Sequence, residues 1–176
     1  MEVLQNMIIP GIGNCVQEPD GSFTPAATGT RHALDIGIDA GVHTGIAAKD
    51  MQTSQWVILK TVSFWEAIDT LQKLNGLYVI RRVVIEDPSQ NKPVFMKNGM
   101  PRSHVSQYLK IAQNVGMNKR DAMRLIEYCE RHGWTVQAVR PTSKSLTKLS
   151  SKRFQQLTGI KQRTSEHVRD AAMLIA

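Results

Sequence analysis

The chain has 176 residues, 41% of them hydrophobic, and carries a formal net charge of +7 with a pI near 9.6. This length supports one globular domain with a substantial core, and the positive charge favours a partner rich in phosphate groups. Two cysteines, Cys15 and Cys129, without zinc-type spacing argue against a disulfide or zinc framework and predict a reducing, cytoplasmic setting. No stretch approaches the roughly 20 apolar residues of a membrane helix, and the N-terminus lacks the basic start of a secretory signal, so we expect no membrane contact.

The first 32 residues are rich in residue types that interrupt helices and strands. Their prolines and glycines are Pro10, Gly11, Gly13, Pro19, Gly21, Pro25 and Gly29. Such a density of breakers argues against a long helix or a central strand. We therefore predict an N-terminal arm or poorly ordered leader over residues 1–32 and one patterned domain over residues 33–176.

Three short apolar runs open the patterned region. They predict strands over residues 33–39, 44–49 and 55–62, and the tight connections between them predict an antiparallel meander. Apolar residues at helical spacing then predict a helix over 64–74. The next strand, over 77–85, leads directly into an acidic residue and a loop rich in proline and lysine.

The second half of the chain reads as mainly helical with one more strand. Gly116 suggests a break in a long helical pattern, and Pro141 ends the last strand. The predicted elements are helices over 103–115 and 118–132, a strand over 134–139, short helices over 143–149 and 151–158, and a terminal helix from Ser165. Together with the first half, this order predicts an α/β fold with a mixed five-stranded sheet flanked by helices.

Three carboxylates occupy places where they could meet. Asp39 follows the first predicted strand, Glu86 follows the fourth, and Asp170 lies on the terminal helix. Ligands collect at the carboxyl ends of strands in open sheets, and two Mg²⁺ ions about 4 Å apart can hydrolyse a phosphodiester when carboxylates hold them. His167, three residues before Asp170, shares its helix face and could ligate a metal or move a proton.

Other acidic residues compete with these three. Asp87, adjacent to Glu86, is a rival ligand, and Asp39 itself could simply cap a turn. Asp35 lies in phase with Asp39 but within the strand, so we interpret it as structural or edge-exposed.

Basic residues mark a candidate surface for phosphate groups. The segment from residue 140 to 163 holds seven basic residues and no acidic one: Arg140, Lys144, Lys148, Lys152, Arg153, Lys161 and Arg163. In the loop after Glu86, Phe95 between Lys92 and Lys97 could stack on a base or anchor the loop to the core. A solvated helix face is the alternative for the lysines. We interpret Trp56, Trp65 and Trp134 as packing residues and Met100, Met117 and Met123 as core fillers.

The chain resembles the RuvC-type Holliday-junction resolvases of the ribonuclease H-like superfamily from about Leu34 to Ala176. The residues that carry the resemblance are Ile38-Asp39-Ala40-Gly41 with Thr44-Gly45, Val84-Ile85-Glu86, Arg140-Pro141-Thr142 with Lys144 and Lys152 downstream, and His167-Val168-Arg169-Asp170-Ala171. The closing His-x-x-Asp-Ala motif discriminates best. Ala40 departs from the family pattern, which commonly has proline there, and the turn to Thr44-Gly45 is one residue shorter.

The resemblance implies a ribonuclease H-like mixed sheet and a Mg²⁺-dependent endonuclease that resolves four-way DNA junctions as a homodimer, with Mn²⁺ able to substitute. Asp39, Glu86, His167 and Asp170 would form the site for two metal ions. Lys152, with Lys144, would serve as a catalytic or phosphate-binding lysine. The family also implies a bacterial or phage-infected host cell and no nucleotide cofactor.

Three other interpretations remain open. A ribonuclease H-like nuclease acting on RNA or an RNA–DNA hybrid has the same core. A non-catalytic nucleic-acid-binding scaffold of the same fold would retain the site without cleaving. The Asp-x-Gly turn with Thr44-Gly45 also resembles the phosphate loop of actin-like and sugar-kinase ATPases, but those proteins need two such domains.

Overall fold

A five-stranded sheet lies at the centre of the structure, a computed structural model that describes residues 7–9, 13–17, 23–25, 31–92, 101–141 and 149–176. Strands and helices are numbered here in chain order. The elements are β1 Met7–Ile9, β2 Gly13–Gln17, β3 Phe23–Pro25, β4 Ala33–Asp39, β5 Thr44–Asp50, β6 Trp56–Val62, α1 Phe64–Leu77, β7 Val79–Glu86, α2 Arg102–Arg131, β8 Val136–Val139, α3 Ser151–Thr158 and α4 Glu166–Met173.

The strands of the central sheet are ordered β6-β5-β4-β7-β8. Strand β5 pairs antiparallel with both β4 and β6, whereas β7 runs parallel to β4 and β8 runs parallel to β7. This arrangement confirms the predicted α/β class, the mixed five-stranded sheet and the antiparallel order of its first three strands. Assignment to the ribonuclease H-like superfamily stays a prediction.

The central strand β4 presents different chemistry to its two faces. Side chains alternate across a strand, so Leu34, Ile36 and Ile38 all enter one apolar core. Asp35, Gly37 and Asp39 are buried on the opposite face. One face of β4 is therefore built from branched apolar side chains, and the other from carboxylates and a residue without a side chain.

Helices α1 and α2 cover the apolar face. The predicted start of α1 is confirmed by a capping box: Ser63 accepts from the Glu66 backbone N–H, and the Glu66 carboxylate accepts from the Ser63 N–H at 2.8 Å. Ala67 and Leu71 of α1 and Leu125 of α2 are fully buried in this core.

The two predicted helices over 103–115 and 118–132 are a single helix, so the expected break was wrong. Helix α2 runs for 30 residues through Gly116, where glycine costs only about 1 kcal/mol relative to alanine. The packing of its C-terminal half holds it: Ala122, Leu125 and Cys129 are fully buried.

Several predicted packing residues lie on the surface instead. Trp65 is 71% exposed, Met123 is 57% exposed and Met117 is 45% exposed, so their assignment to the core was wrong. Trp56 and Trp134 do pack against the two buried clusters, which confirms that assignment. Met100 lies outside the described residues.

Helices α3 and α4 cover the second face of the sheet. Phe154 of α3 and Ala171 and Ala172 of α4 pack with Ala47 of β5 in a smaller apolar cluster. A terminal helix from Ser165 is confirmed, and Ser165 is its N-cap, because its hydroxyl accepts from the Val168 N–H at 3.2 Å. Within the described ranges, no helix is long and apolar enough to cross a membrane.

The region before residue 33 contains described strands. Strands β1, β2 and β3 pair antiparallel in a separate three-stranded sheet. Arg31 then donates to the backbone carbonyls of Asn75 and Tyr78 at the end of α1. The predicted division at residue 32, with an arm or leader before it, stays a prediction.

Candidate functional site

Asp39 and Glu86 lie side by side at one edge of the sheet. Ile38 of β4 pairs with Ile85 of β7, and the two strands are parallel, so the residues that follow both pairs leave the sheet at the same place. Both side chains belong to the face covered by α4. Their carboxylates are largely buried, with 9% of Asp39 and 5% of Glu86 exposed. The predicted meeting of the two strand ends is confirmed.

Two glycines allow α4 to lie directly on the sheet. A Cβ built on Gly37 would lie 2.0 Å from the carbonyl oxygen of Ala171, and one on Gly45 would lie 2.1 Å from that of His167. No side chain can occupy those positions while the helix stays in place. The close approach sets the depth at which His167 and Asp170 reach the strand ends.

Side-chain hydrogen bonds also hold α4 in place. Thr61 at the end of β6 and Ser165, the N-cap of α4, share a hydrogen bond between their hydroxyls at 2.6 Å. Arg169 donates to the backbone carbonyls of Leu149 and Thr164. These contacts join the helix to the end of β6 and to the segments before α3 and α4.

His167 contacts the carboxylate of Asp39. Its Nδ1 lies 2.8 Å from Asp39 Oδ2. Because a carboxylate oxygen accepts, Nδ1 donates to Asp39, and in the neutral tautomer that makes this bond Nε2 is the basic ring nitrogen. The ring of His43, in the turn after β4, lies 6.2 Å from that of His167. His43 was not identified from the sequence, although it lies between Ile38-Asp39-Ala40-Gly41 and Thr44-Gly45, because only the turn after β4 brings it to the site.

One cavity of about 750 Å³ collects the predicted acidic residues. Asp39, Glu86, His167 and Asp170 all line it, although they come from two strands and a helix. Three carboxylates in one lining give this cavity a negative charge that a cation would offset. The structure thus places the four residues predicted as metal ligands around one cavity.

Helix α2 forms the opposite wall of this cavity, which sequence reasoning missed. Asn114, Asn118 and Lys119 line it from the middle of the helix. The Asn118 side chain accepts from the Val42 N–H at 3.4 Å and so holds the turn between β4 and β5. The sequence carries no signal for these residues other than their phase on a helix that was predicted to break beside them.

The fit of this cavity to Mg²⁺ can be judged from its donors. Carboxylate oxygens are the ligands that hard divalent cations prefer, and Asp39, Glu86 and Asp170 supply them together with the imidazole of His167. Within the described residues, no three acidic, histidine or cysteine side chains are gathered closely enough to hold one ion. The donors are of the right chemical type and share a cavity, but they lie too far apart to bind one ion together.

Asp87 and Asp35 have structural contacts. Asp87 accepts from the Ser89 N–H at 2.9 Å and from the Gln90 amide at 3.3 Å, which caps the turn after β7. Asp35 is fully buried, so edge exposure was wrong and the structural interpretation is confirmed. A bulge in the pairing of β4 with β7 brings both Arg81 and Arg82 to its carboxylate. Burial raises the pKa of Asp35, but the hydrogen bonds from the two arginines outweigh it and lower that pKa.

The predicted basic residues separate into three groups. Lys92 lines the cavity, and Arg140 donates to the Asn91 side chain at 3.0 Å beside it. The exposed residues of the second group, on or after α3, are Lys152, Arg153, Lys161 and Arg163. Lys152 does not belong to the lining of this cavity, and its catalytic role stays a prediction. Outside the described residues lie Phe95, Lys97, Lys144 and Lys148.

Comparison with known proteins adds no relative. No protein-family model matches the chain, and a search of curated proteins found no match.

Proposed function

We propose that the chain is a Mg²⁺-dependent, structure-selective endonuclease that nicks four-way DNA junctions. The observation that carries the proposal is the shared cavity of Asp39, Glu86, His167 and Asp170 in a chain of net charge +7. Carboxylates gathered beside basic groups suit a substrate that is an anion and a cofactor that is a cation. The resemblance to junction resolvases supports the choice of substrate.

Asp39, Glu86 and Asp170 would hold the ions, with His167 at the edge of the set. Bound divalent ions would supply a nucleophilic water at neutral pH and stabilise charge on the scissile phosphate. His167 is oriented by its hydrogen bond to Asp39, which keeps Nε2 available to ligate or to accept a proton. The close packing of α4 against Gly37 and Gly45 keeps that imidazole in place.

Lys92 and Lys119 would position the phosphate backbone. Both line the same cavity as the carboxylates, from the turn after β7 and from α2 respectively. Lys119 donates to the Asn91 carbonyl at 3.4 Å, so its ammonium lies beside the turn after β7. Cations in the lining of this cavity would neutralise a phosphate without occupying the ion sites. Lys152 of α3 remains a further proposed phosphate-binding residue, as does the basic segment around it.

The test compares substrates under one set of conditions. Purified protein is incubated with a labelled four-way junction, matched duplex, flap and RNA–DNA hybrid, in Mg²⁺, in Mn²⁺ and in chelator. Paired symmetric nicks in the junction, dependent on either ion, are the expected result. Gel filtration with light scattering checks the homodimer that two opposed nicks require.

The alternatives give different patterns in the same assay. Cleavage of hybrid or RNA with an intact junction would assign the chain to RNA processing. Tight junction binding without cleavage in either ion would identify a non-catalytic scaffold. The Asp39→Asn and Asp170→Asn variants separate cleavage by this site from cleavage by a contaminating nuclease.

A further inference from the structure

A second surface, away from the carboxylates, combines aromatic and basic side chains. The N-terminus of α1 and the C-terminal half of α2 enclose a groove of about 390 Å³ whose lining includes Phe64, Trp65, Ile68 and Tyr128. Phe64, Ile68 and Tyr128 also pack against the core. Trp65 does not: it is 71% exposed, with its ring edge-to-face with Phe64 at 5.4 Å. We call this surface the Trp65 groove.

Basic residues follow α2 along the same side. Arg124 and Arg131 line the Trp65 groove, and Arg120 lines the adjoining depression of about 460 Å³. Their positions are four and seven residues apart, which keeps them on one helix face. Glu127 is the acidic residue in both linings, and its carboxylate is paired with Arg131 at 2.6 Å. The surface therefore combines a row of guanidinium groups with an exposed indole.

The groove and the candidate site are linked through shared lining residues. Lys119 lines both the carboxylate cavity and the adjoining depression, while Arg124 and Glu127 line both the depression and the Trp65 groove. From Lys119 to Arg131 the helix rises about 18 Å. A ligand could thus pass from the carboxylates over Lys119 and then follow the outer face of α2 to Trp65.

We propose that this face of α2 binds an unpaired nucleic-acid strand that leaves the candidate site, with a base stacked on Trp65 and phosphates on Arg120 and Arg124. Guanidinium groups beside an accessible aromatic ring match a ligand that alternates phosphates with flat bases. A duplex would hide its base faces from the indole, whereas an unpaired strand exposes them. The proposal rests on the proposed function for its choice of nucleic acid, but it does not require cleavage.

The experiment measures binding in chelator, so that cleavage plays no part. Fluorescence anisotropy gives the Kd for a labelled single strand and for a junction with a single-stranded arm, against Trp65→Ala and Arg124→Glu. We expect each variant to bind the single strand about tenfold more weakly, because one stacked base or one phosphate contact is lost. Arg124→Glu should also lower the slope of log Kd against log salt by about one.

Two matched controls separate this surface from general effects of charge and hydrophobicity. Lys73→Glu changes the net charge as Arg124→Glu does, and Val79→Ala shortens a side chain that is 50% exposed at the start of β7. Neither residue lines any of the three cavities. Both variants should bind as the unchanged protein does. Quenching of tryptophan fluorescence by the single strand should be reduced in Trp65→Phe.

The outcomes distinguish this proposal from the proposed function. Unchanged affinity and quenching in the Trp65 and Arg124 variants would overturn the groove proposal even if the protein cleaves junctions. Weakened binding in those variants, in a protein that never cleaves, would support the groove and overturn the nuclease. Quenching by poly-glutamate but not by DNA would mean that the groove binds an acidic peptide, and our proposal would be wrong.

Discussion

The sheet carries a histidine–aspartate pair at each end, and the two pairs differ in what surrounds them. His167 Nδ1 lies 2.8 Å from Asp39 at the carboxyl end of β4, and His32 Nδ1 lies 2.7 Å from Asp50 at the opposite end. The aspartates are both buried, and the pairs have nearly the same length. Pair geometry alone therefore does not identify a functional site.

The difference lies in the other partners of each carboxylate. Asp50 also accepts from the backbone N–H groups of Gln52 at 2.8 Å and Thr53 at 3.0 Å, which closes the turn after β5. Asp39 instead lines a cavity with two more carboxylates. A carboxylate that binds backbone N–H groups stabilises a turn, whereas one that shares a cavity with like charges suits a cation.

The same substitution at both aspartates should separate these roles most strongly. Asp39→Asn removes a charged oxygen ligand, so we expect nuclease activity to fall by at least about 10³-fold with little change in stability. Asp50→Asn should leave activity per folded molecule within about twofold while lowering the free energy of unfolding by about 1–2 kcal/mol. Junction nicking and urea unfolding measure the two effects. Equal loss of activity in both variants would contradict the assignment.

The next largest effect concerns how α4 reaches Asp39. Gly45→Ala places a methyl group against the His167 carbonyl, so the helix must shift, and we expect a loss of about 3 kcal/mol in the free energy of unfolding. Nicking should fall with it. Gly76→Ala is the control: its Cβ would meet nothing within 4 Å, and it should stabilise α1 by about 0.5–1 kcal/mol. If Gly45→Ala were as stable as the unchanged protein, α4 would not be seated as described.

Replacing the histidine of each pair tests the same comparison. His167→Gln should reduce nicking by about 10- to 100-fold, because the group that Asp39 orients is lost. His32→Gln should leave nicking unchanged and cost about 1 kcal/mol of stability. Single-turnover nicking rates, measured beside the melting temperature of each variant, give both numbers. Full activity in His167→Gln would limit that residue to a structural role.

The smallest expected effect is the pH dependence of the stability that the His32–Asp50 pair contributes. Burial raises the pKa of Asp50, but hydrogen bonds from His32 and from the Thr53 and Gln52 backbone outweigh it, so that pKa lies below its ordinary value of 3.8. The lowered pKa contributes stability that is complete above 3.8 and is lost as pH falls through the folded-state value. The stability difference between the unchanged protein and Asp50→Asn should therefore shrink as pH falls from 5 towards 2. A constant difference over that range would contradict the lowered pKa.

The sequence by itself determined the sheet and its acidic edge. Short apolar runs in β4 and β7 predicted strands that end at Asp39 and Glu86, because an apolar run of this length beside turn residues indicates a strand before any partner is known. The spacing of His167 and Asp170 placed them on one helix face for the same reason, since helical phase is a local property.

The tertiary structure decided what those local patterns could not. Gly116 suggested a break in α2, but burial of the C-terminal half of the helix outweighs the small cost of one glycine. Asn118 and Lys119 then reach the cavity from that helix, and Trp65 stays on the surface. Gly37 and Gly45 serve close packing with α4, more than a hundred residues away in sequence. Such contacts join segments that lie far apart in sequence. No local periodicity predicts which distant segments pack together, so only the folded chain shows these contacts.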